Sequence, residues 1–295
     1  MNGILIVDKP ADWTSHDVVA KLRGALKEKR IGHGGTLDPL ATGVLPVFIG
    51  RATRAAEFCE NAQKEYIAGL RLGIVTDTQD ITGNVIASGE VAVPKEALVD
   101  ILPSFTGAQK QVPPMYSAIK IDGQKLYKLA RRGIEVHRPA RDVTIYSIEL
   151  FEGSENEYSL RIVCSKGTYI RTLCNDIGAK LGCGGVMSSL RRTRSGSFMI
   201  SSAHKLEDIL KAASSGSIED MALPVDTMFL DYPALTLSEY DTRRCKNGAS
   251  CHLKSFHSGK YRLYSHDGEF LAFGNIDNGE LTTIKSFYST QMEEA

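Results

Sequence analysis

The chain carries the stretch Gly32-His33-Gly34-Gly35-Thr36-Leu37-Asp38-Pro39-Leu40-Ala41-Thr42-Gly43-Val44-Leu45. One carboxylate, Asp38, stands in a glycine-rich turn and is followed at once by Pro39. Four glycines in twelve residues let the backbone approach a ligand closely and adopt conformations that other residues resist. The Asp-Pro pair favours a turn and biases Asp38 away from helical geometry. A carboxylate held on such a turn can serve as a nucleophile or a base. It can equally be a turn former bonded to its own backbone, and local chemistry alone favours that plainer reading.

The flanking segments read as alternating strands and helices. Ile4 to Val7 is a buried strand. Thr14-Ser15-His16-Asp17 resembles a capping box, and Val18, Val19, Leu22 and Leu26 recur at helical spacing until Gly32 stops the helix. Arg51 to Asn61 reads as helical. From Glu65 to Gly73 the pattern alternates, with Tyr66, Ala68, Leu70 and Leu72 on one strand face. Thr76-Asp77-Thr78-Gln79-Asp80 with Thr82-Gly83-Asn84 is a polar loop, and Pro94 opens a short helix to about Leu102. Residues 107–142 read as an insertion with Pro113-Pro114 and a basic helix around Gln124 to Arg132. Strands follow near Val143–Phe151 and Tyr158–Ser165, the second alternating Tyr158, Leu160, Ile162 and Cys164. Thr168 can cap a helix with the apolar stripe Ile170, Leu173, Cys174, Ile177 and Leu181, ending at Gly182. Strands and helices without a repeating βαβ rhythm predict a mixed α+β sheet.

The length fits about two domains. The division falls near Leu230–Pro233, giving residues 1–230 and 231–295. The second part shows short strands separated by Lys246-Asn247-Gly248, Ser258-Gly259, His266-Asp267-Gly268 and Asn278-Gly279, the pattern of a small β-rich barrel. No apolar stretch approaches a membrane span, and the amino terminus does not read as a signal peptide. Six scattered cysteines fit no disulfide framework, so reduced thiols in a cytoplasmic protein are the simplest account. Cys245, Cys251 and His252 cluster loosely but lack a fourth metal ligand nearby.

Lys plus Arg total 35 and Asp plus Glu total 35, so net charge alone argues against a nucleic-acid binder. The distribution argues the other way. Basic residues concentrate in 21–30, in 110–142 (against Asp122, Glu135 and Asp142) and in 166–194, while acids collect elsewhere, as at Glu293-Glu294. Three such blocks predict a polarised surface suited to phosphates; solvated helix faces are the plainer alternative.

Several of these segments together resemble the tRNA pseudouridine-55 synthase branch of the pseudouridine synthases. The first stretch fits that branch's GHxGTLDPxAxGVL pattern at every fixed position, and Lys166-Gly167-Thr168-Tyr169-Ile170-Arg171-Thr172-Leu173 fits its GTYIRxL pattern. Lys64-Glu65-Tyr66, Ser189-Leu190-Arg191-Arg192-Thr193, Lys9-Pro10 and the run from Gln111-Val112-Pro113-Pro114 to Arg138-Pro139 add to the match. The resemblance implies isomerisation of uridine 55 in the tRNA T-loop to pseudouridine. It implies Asp38 as the nucleophile, or in a variant mechanism as a base. Arg171 would pair with Asp38, and the extruded base would stack on Tyr66, which read alone is an ordinary strand tyrosine. Tyr169 and Leu190 would line the base pocket, and His33 would stack within the folded T-loop.

The same resemblance implies no metal and no cofactor. It implies a largely antiparallel pseudouridine synthase core, a thumb insertion that clamps the T-arm, and a small PUA-like RNA-binding barrel at 231–295. Lys9 is expected to have a structural role. The start of the chain directly at its first strand favours stand-alone action as a monomer, without a membrane or an obligate protein partner, over the guide-RNA-dependent branch. A role in assisting tRNA folding is compatible with the same residues.

Overall fold

The computed structural model describes residues 1–121, 123–253 and 255–288. Asp122 and the Glu293-Glu294 end lie outside the described residues.

Among the described residues, ten strands form one sheet. Its main path runs His204–Lys205, Gly3–Lys9, Thr42–Ile49, Gly185–Ser195, Lys64–Leu72, Glu157–Cys164, Arg141–Ser154 and Gly107–Gln111. The sheet is mixed and largely antiparallel. Gly3–Lys9 runs parallel to His204–Lys205, and Gly185–Ser195 runs parallel to Thr42–Ile49. The second parallel contact covers only Arg191↔Thr42 and Arg192↔Gly43, and the turn carrying Asp38 leaves the sheet there. Gly43 sits at a φ of 98°, and a Cβ on it would lie 2.2 Å from the Arg192 carbonyl oxygen, so this crossing needs glycine.

The alternation legible in the sequence is the alternation of the sheet. Tyr66, Ala68, Leu70 and Leu72, and likewise Tyr158, Leu160, Ile162 and Cys164, enter one core with Val18, Val19 and Leu22 of the helix Ser15–Leu26. Thr14 caps that helix, and a full capping box with Asp17 is present. The helix ends earlier than expected, with Lys27 in the left-handed region. Gly32 does not stop it, because Ile31, Gly32 and His33 are taken up as a strand against Ile49, Phe48 and Val47. Arg51 to Asn61 is a 3-10 turn over Gly50–Ala55 followed by the helix Ala56–Asn61.

The helix Ile170–Lys180 lies against the strand Gly185–Ser195. A Cβ on Gly178 would fall 2.1 Å from the Gly185 nitrogen, so glycine brings the two backbones together. Thr168 does not cap this helix. Its hydroxyl donates to the Ser165 carbonyl, and the N-cap is Tyr169, without a side-chain cap.

Within 107–142, Gly107–Gln111 pairs with Arg141–Ser154 in the main sheet. The expected basic helix is shorter than its pattern suggests. A hairpin of Lys120–Ile121 and Gln124–Lys125 precedes the five-residue helix Leu126–Ala130. Leu126 and Leu129 are buried there, while Lys120, Lys128, Arg131 and Arg132 are exposed. The third basic block is split: Lys166, Lys180 and Arg191 are exposed, whereas Arg171 and Arg192 are buried.

A second, five-stranded sheet holds Ala234–Thr236, Gly259–Tyr264, Phe270–Asp277, Glu280–Ser286 and Cys251–His252. Asn278-Gly279 makes its tight turn, both residues at positive φ. Lys246-Asn247-Gly248 marks no strand turn. It ends the helix Glu239–Lys246, which Ser238 caps through the Asp241 N–H. Cys245 and Cys251 are buried, with their thiols against the Thr283 hydroxyl and the Asp241 carbonyl.

This sheet docks on the first through phenylalanines. Phe229 stacks on Phe273 at 4.4 Å and meets Phe58 edge-on at 5.2 Å. Phe229 is buried, and truncating a buried phenylalanine costs about 3–5 kcal/mol. Phe229→Ala is expected to lose about that much in urea unfolding; an unchanged midpoint would mean that the ring does not hold the junction.

Candidate active site

The turn around Asp38 is pinned on both sides by buried groups. The Ser15 hydroxyl accepts from the Leu37 N–H at 2.9 Å and approaches the Leu37 carbonyl at 3.2 Å. The Lys9 ammonium donates to the carbonyls of Trp13, Pro10 and Pro39 at 2.6, 2.8 and 3.3 Å. Burial pulls the Lys9 pKa down to about 8, with the nearby Asp38 charge opposing. Lys9 therefore braces the backbone, as expected. Asp38 closes the turn by accepting from the Ala41 N–H at 3.1 Å, and its side chain remains 39% exposed.

Arg171 is only 5% exposed. Its Nε donates to Asp38 Oδ2 at 2.9 Å. Nη1 donates to the Thr78 carbonyl at 3.0 Å and Nη2 to the Tyr116 carbonyl at 2.8 Å. A cation in the first turn of a helix is poorly placed against the helix dipole, and a buried one needs an anion. Asp38 supplies it, and Asp80 Oδ2 adds a second carboxylate at 3.8 Å from Nε.

Asp80 was not singled out in the sequence. Its other oxygen, Oδ1, accepts from the hydroxyls of Thr78 and Thr82 at 2.9 and 2.6 Å and from the Thr82 N–H at 3.0 Å. The Thr172 hydroxyl donates to Gln79 Oε1 at 2.8 Å, tying the same loop to the helix of Arg171. The available signal was a carboxylate with a threonine two residues away on either side.

Tyr66 and Arg192 face each other across neighbouring strands, as do Ala68 and Leu190. All four side chains share one sheet face. Burial pushes the Tyr66 phenol pKa up; Arg192 opposes this and Asp38 adds to it. Arg192 is a second missed residue. It is fully buried and donates to the carbonyls of Val44 at 2.7 Å and Gly35 at 3.1 Å, fastening the glycine turn to the sheet. Tyr169 is half-buried, and burial raises its phenol pKa while the Ser117 hydroxyl opposes.

The structure thus pairs Asp38 with Arg171, places Tyr169 two residues before that arginine at the helix start, and sets Tyr66 opposite Arg192, which holds the glycine turn. Leu190 lies two residues along from Arg192 on the Tyr66 face. His33 stands apart, edge-on to His16 at 5.4 Å, with Nδ1 buried and unpartnered. A half-exposed carboxylate anchored by a buried guanidinium can attack, or take a proton from, a ligand.

Burial, with the charges of His16 and Arg192, lowers the His33 pKa to about 4, from 6.5 in an unfolded chain. Between those two values the unfolded state takes up a proton and the folded state does not, so stability falls as pH falls. Relative to His33→Gln, the wild-type protein is expected to lose unfolding free energy from pH 6.5 down to 4. Parallel pH profiles in urea unfolding would contradict this.

Comparison with known proteins places this chain in a family. Residues 23–170 match the model of the TruB family pseudouridylate synthase N-terminal domain. Residues 171–230 match that of the tRNA pseudouridylate synthase B C-terminal domain. A tRNA pseudouridine synthase B of Clostridium kluyveri is 41% identical over 292 residues, covering 97% of this chain and 100% of that protein. One of Alkaliphilus oremlandii is 48% identical over 239 residues, covering 81% and 77%. Among solved structures, an H/ACA RNP bound to a substrate RNA containing 2'-deoxyuridine superposes with a TM-score of 0.74 at 25% identity, covering 98% of this chain and 86% of that one. By sequence and by fold, the chain belongs to the TruB family of pseudouridylate synthases.

Proposed function

We propose that this pseudouridine synthase acts on tRNA, isomerising uridine 55 of the T-loop, with Asp38 as its nucleophile. The observation that carries the reading is the Asp38–Arg171 pair, 2.9 Å apart, one partner half-exposed and the other buried. Relatives named tRNA pseudouridine synthase B supply the substrate class. The target base leaves its stack and lies against Tyr66, with Tyr169 and Leu190 completing the pocket and His33 meeting the loop. Asp38 attacks the nucleotide. A bond from Asp38 to C1′ forms as the glycosidic bond from C1′ to N1 breaks with its electron pair on the base; the base turns, and C5 bonds to C1′ as the Asp38–C1′ bond breaks and restores the carboxylate. The C5 proton is then lost and N1 gains one. Nothing is oxidised or reduced, and no further reactant is consumed.

In this reading residues 1–230 form the catalytic unit, and the exposed cations at 120–132 hold T-arm phosphates. Residues 231–295 form a PUA-like barrel. The enzyme acts as a monomer in the cytoplasm, and six buried free thiols suit that reducing compartment. No helix among the described residues is long and apolar enough to cross a membrane.

The test uses a T-arm stem-loop tritiated at C5 of the target uridine. Wild type is expected to release tritium and Asp38→Ala to release none while still binding. Release by Asp38→Ala would remove Asp38 from the chemistry.

A further inference from the structure

The helix that carries Arg171 begins without a side-chain cap of its own. Its N-cap peptide is held from elsewhere. Gln111 Nε2 donates to the Tyr169 carbonyl at 3.0 Å, and Gln111 Oε1 accepts from the Tyr169 N–H at 2.8 Å. One side-chain amide therefore takes both hydrogen-bonding groups of one residue, as a neighbouring strand would. The same Tyr169 carbonyl accepts the Leu173 N–H at 3.1 Å, the first hydrogen bond of the helix. Gln111 is buried, so this amide is not traded for water at little cost.

The place of Gln111 in the chain gives the contact its meaning. The strand Gly107–Gln111 ends there, and its partner strand begins at Arg141, directly opposite. Residues 112–140 thus leave and rejoin the sheet at the Gln111–Arg141 pair. Five residues past Gln111, the Tyr116 carbonyl accepts from Arg171 Nη2. Between the two contacts stand Pro113 and Pro114, both buried, which fix φ and lack an N–H. The start of the insertion is therefore a stiff strap fastened twice to one helix end: by a side chain at Tyr169 and by a backbone carbonyl at Arg171.

We propose that Gln111 is a positioning residue for the isomerisation: its amide fixes the Tyr169 peptide, and with it the Tyr169 ring and the point from which Arg171 reaches Asp38. It also makes the base of the insertion part of the catalytic geometry. A shift of the strap moves the Tyr116 carbonyl on the arginine and the glutamine on the helix start together. Gln111 touches no substrate in this role; it acts through Tyr169 and Arg171.

The proposal rests on the uridine reading above, and the test separates the two. Single-turnover tritium release and tRNA binding are measured for wild type, Gln111→Ala and Gln111→Glu, with thermal unfolding of each. Gln111→Ala is expected to slow release by about tenfold, equivalent to about 1.4 kcal/mol, with the tRNA dissociation constant unchanged. Gln111→Glu carries the sharper signature. As a carboxylate it accepts the Tyr169 N–H but cannot donate to the carbonyl; protonated, it does both. Its rate relative to wild type is expected to rise as pH falls from 7.5 towards the ordinary glutamic acid range of about 4–5. A merely structural glutamine would show its recovery in thermal unfolding and not in the rate of the folded protein, and this variant decides the matter if Gln111→Ala does not fold. An active wild type beside an unimpaired Gln111→Ala, or a Gln111→Glu ratio flat with pH, overturns this proposal alone. A wild type that releases no tritium overturns the functional reading and this proposal with it.

Discussion

A single buried guanidinium organises the site. Arg171 sits where both desolvation and the helix dipole disfavour a cation, so it persists only because acceptors surround it. Those acceptors come from segments far apart in sequence: the Asp38 carboxylate, the Thr78 carbonyl with the Asp80 carboxylate, and the Tyr116 carbonyl. Each belongs to a loop or turn that is also held by its own contacts, such as Ser15 and Lys9 on the turn of Asp38 and Thr172 on the loop of Asp80. A buried guanidinium left without acceptors is penalised, although solvent at the half-exposed Asp38 screens part of that cost. Satisfying one side chain therefore joins the glycine-rich turn, the threonine-rich loop and the start of the insertion around one point.

The sheet supplies the rigidity that this arrangement needs. The turn of Asp38 springs from the place where two strands run parallel for only two residue pairs, and Gly43 is the residue that permits the crossing. Buried Lys9 and Arg192, each donating to backbone carbonyls, brace that turn from either side. Neither side chain needs to meet a substrate to matter. A displacement of about 1 Å in a reacting group can cost two orders of magnitude in rate, so bracing of this kind belongs to catalysis as much as to stability.

Sequence and structure agree most closely where periodicity reports burial. The alternating runs at Tyr66–Leu72 and Tyr158–Cys164 are sheet strands facing the core, and the Thr14 capping box opens its helix. Asp38 and Arg171 could be singled out because they sit inside long, specific patterns, whereas Tyr66 stood out only through the resemblance. Asp80, Gln111 and Arg192 were not singled out. Their partners are a guanidinium 91 residues further on, a backbone peptide 58 residues away, and carbonyls of the glycine turn. No local spacing encodes contacts of that range. The early end of the helix Ser15–Leu26 has the same origin: strand pairing of Ile31–His33 with Val47–Ile49 overrides the glycine stop signal. The third basic block divides for a related reason, since charge counted along a chain does not say which way a side chain points. Arg171 and Arg192 carry two of its charges into the interior.

The central claim is that Arg171 acts through the fixed geometry of its planar fork and not through charge alone. Arg171→Lys tests it most directly, because lysine keeps the charge but loses the rigid array of donors that reaches Asp38, Thr78 and Tyr116 at once. Single-turnover tritium release from a C5-labelled T-arm is expected to fall at least about 100-fold in this variant while RNA binding is retained. Release at the wild-type rate would contradict the claim.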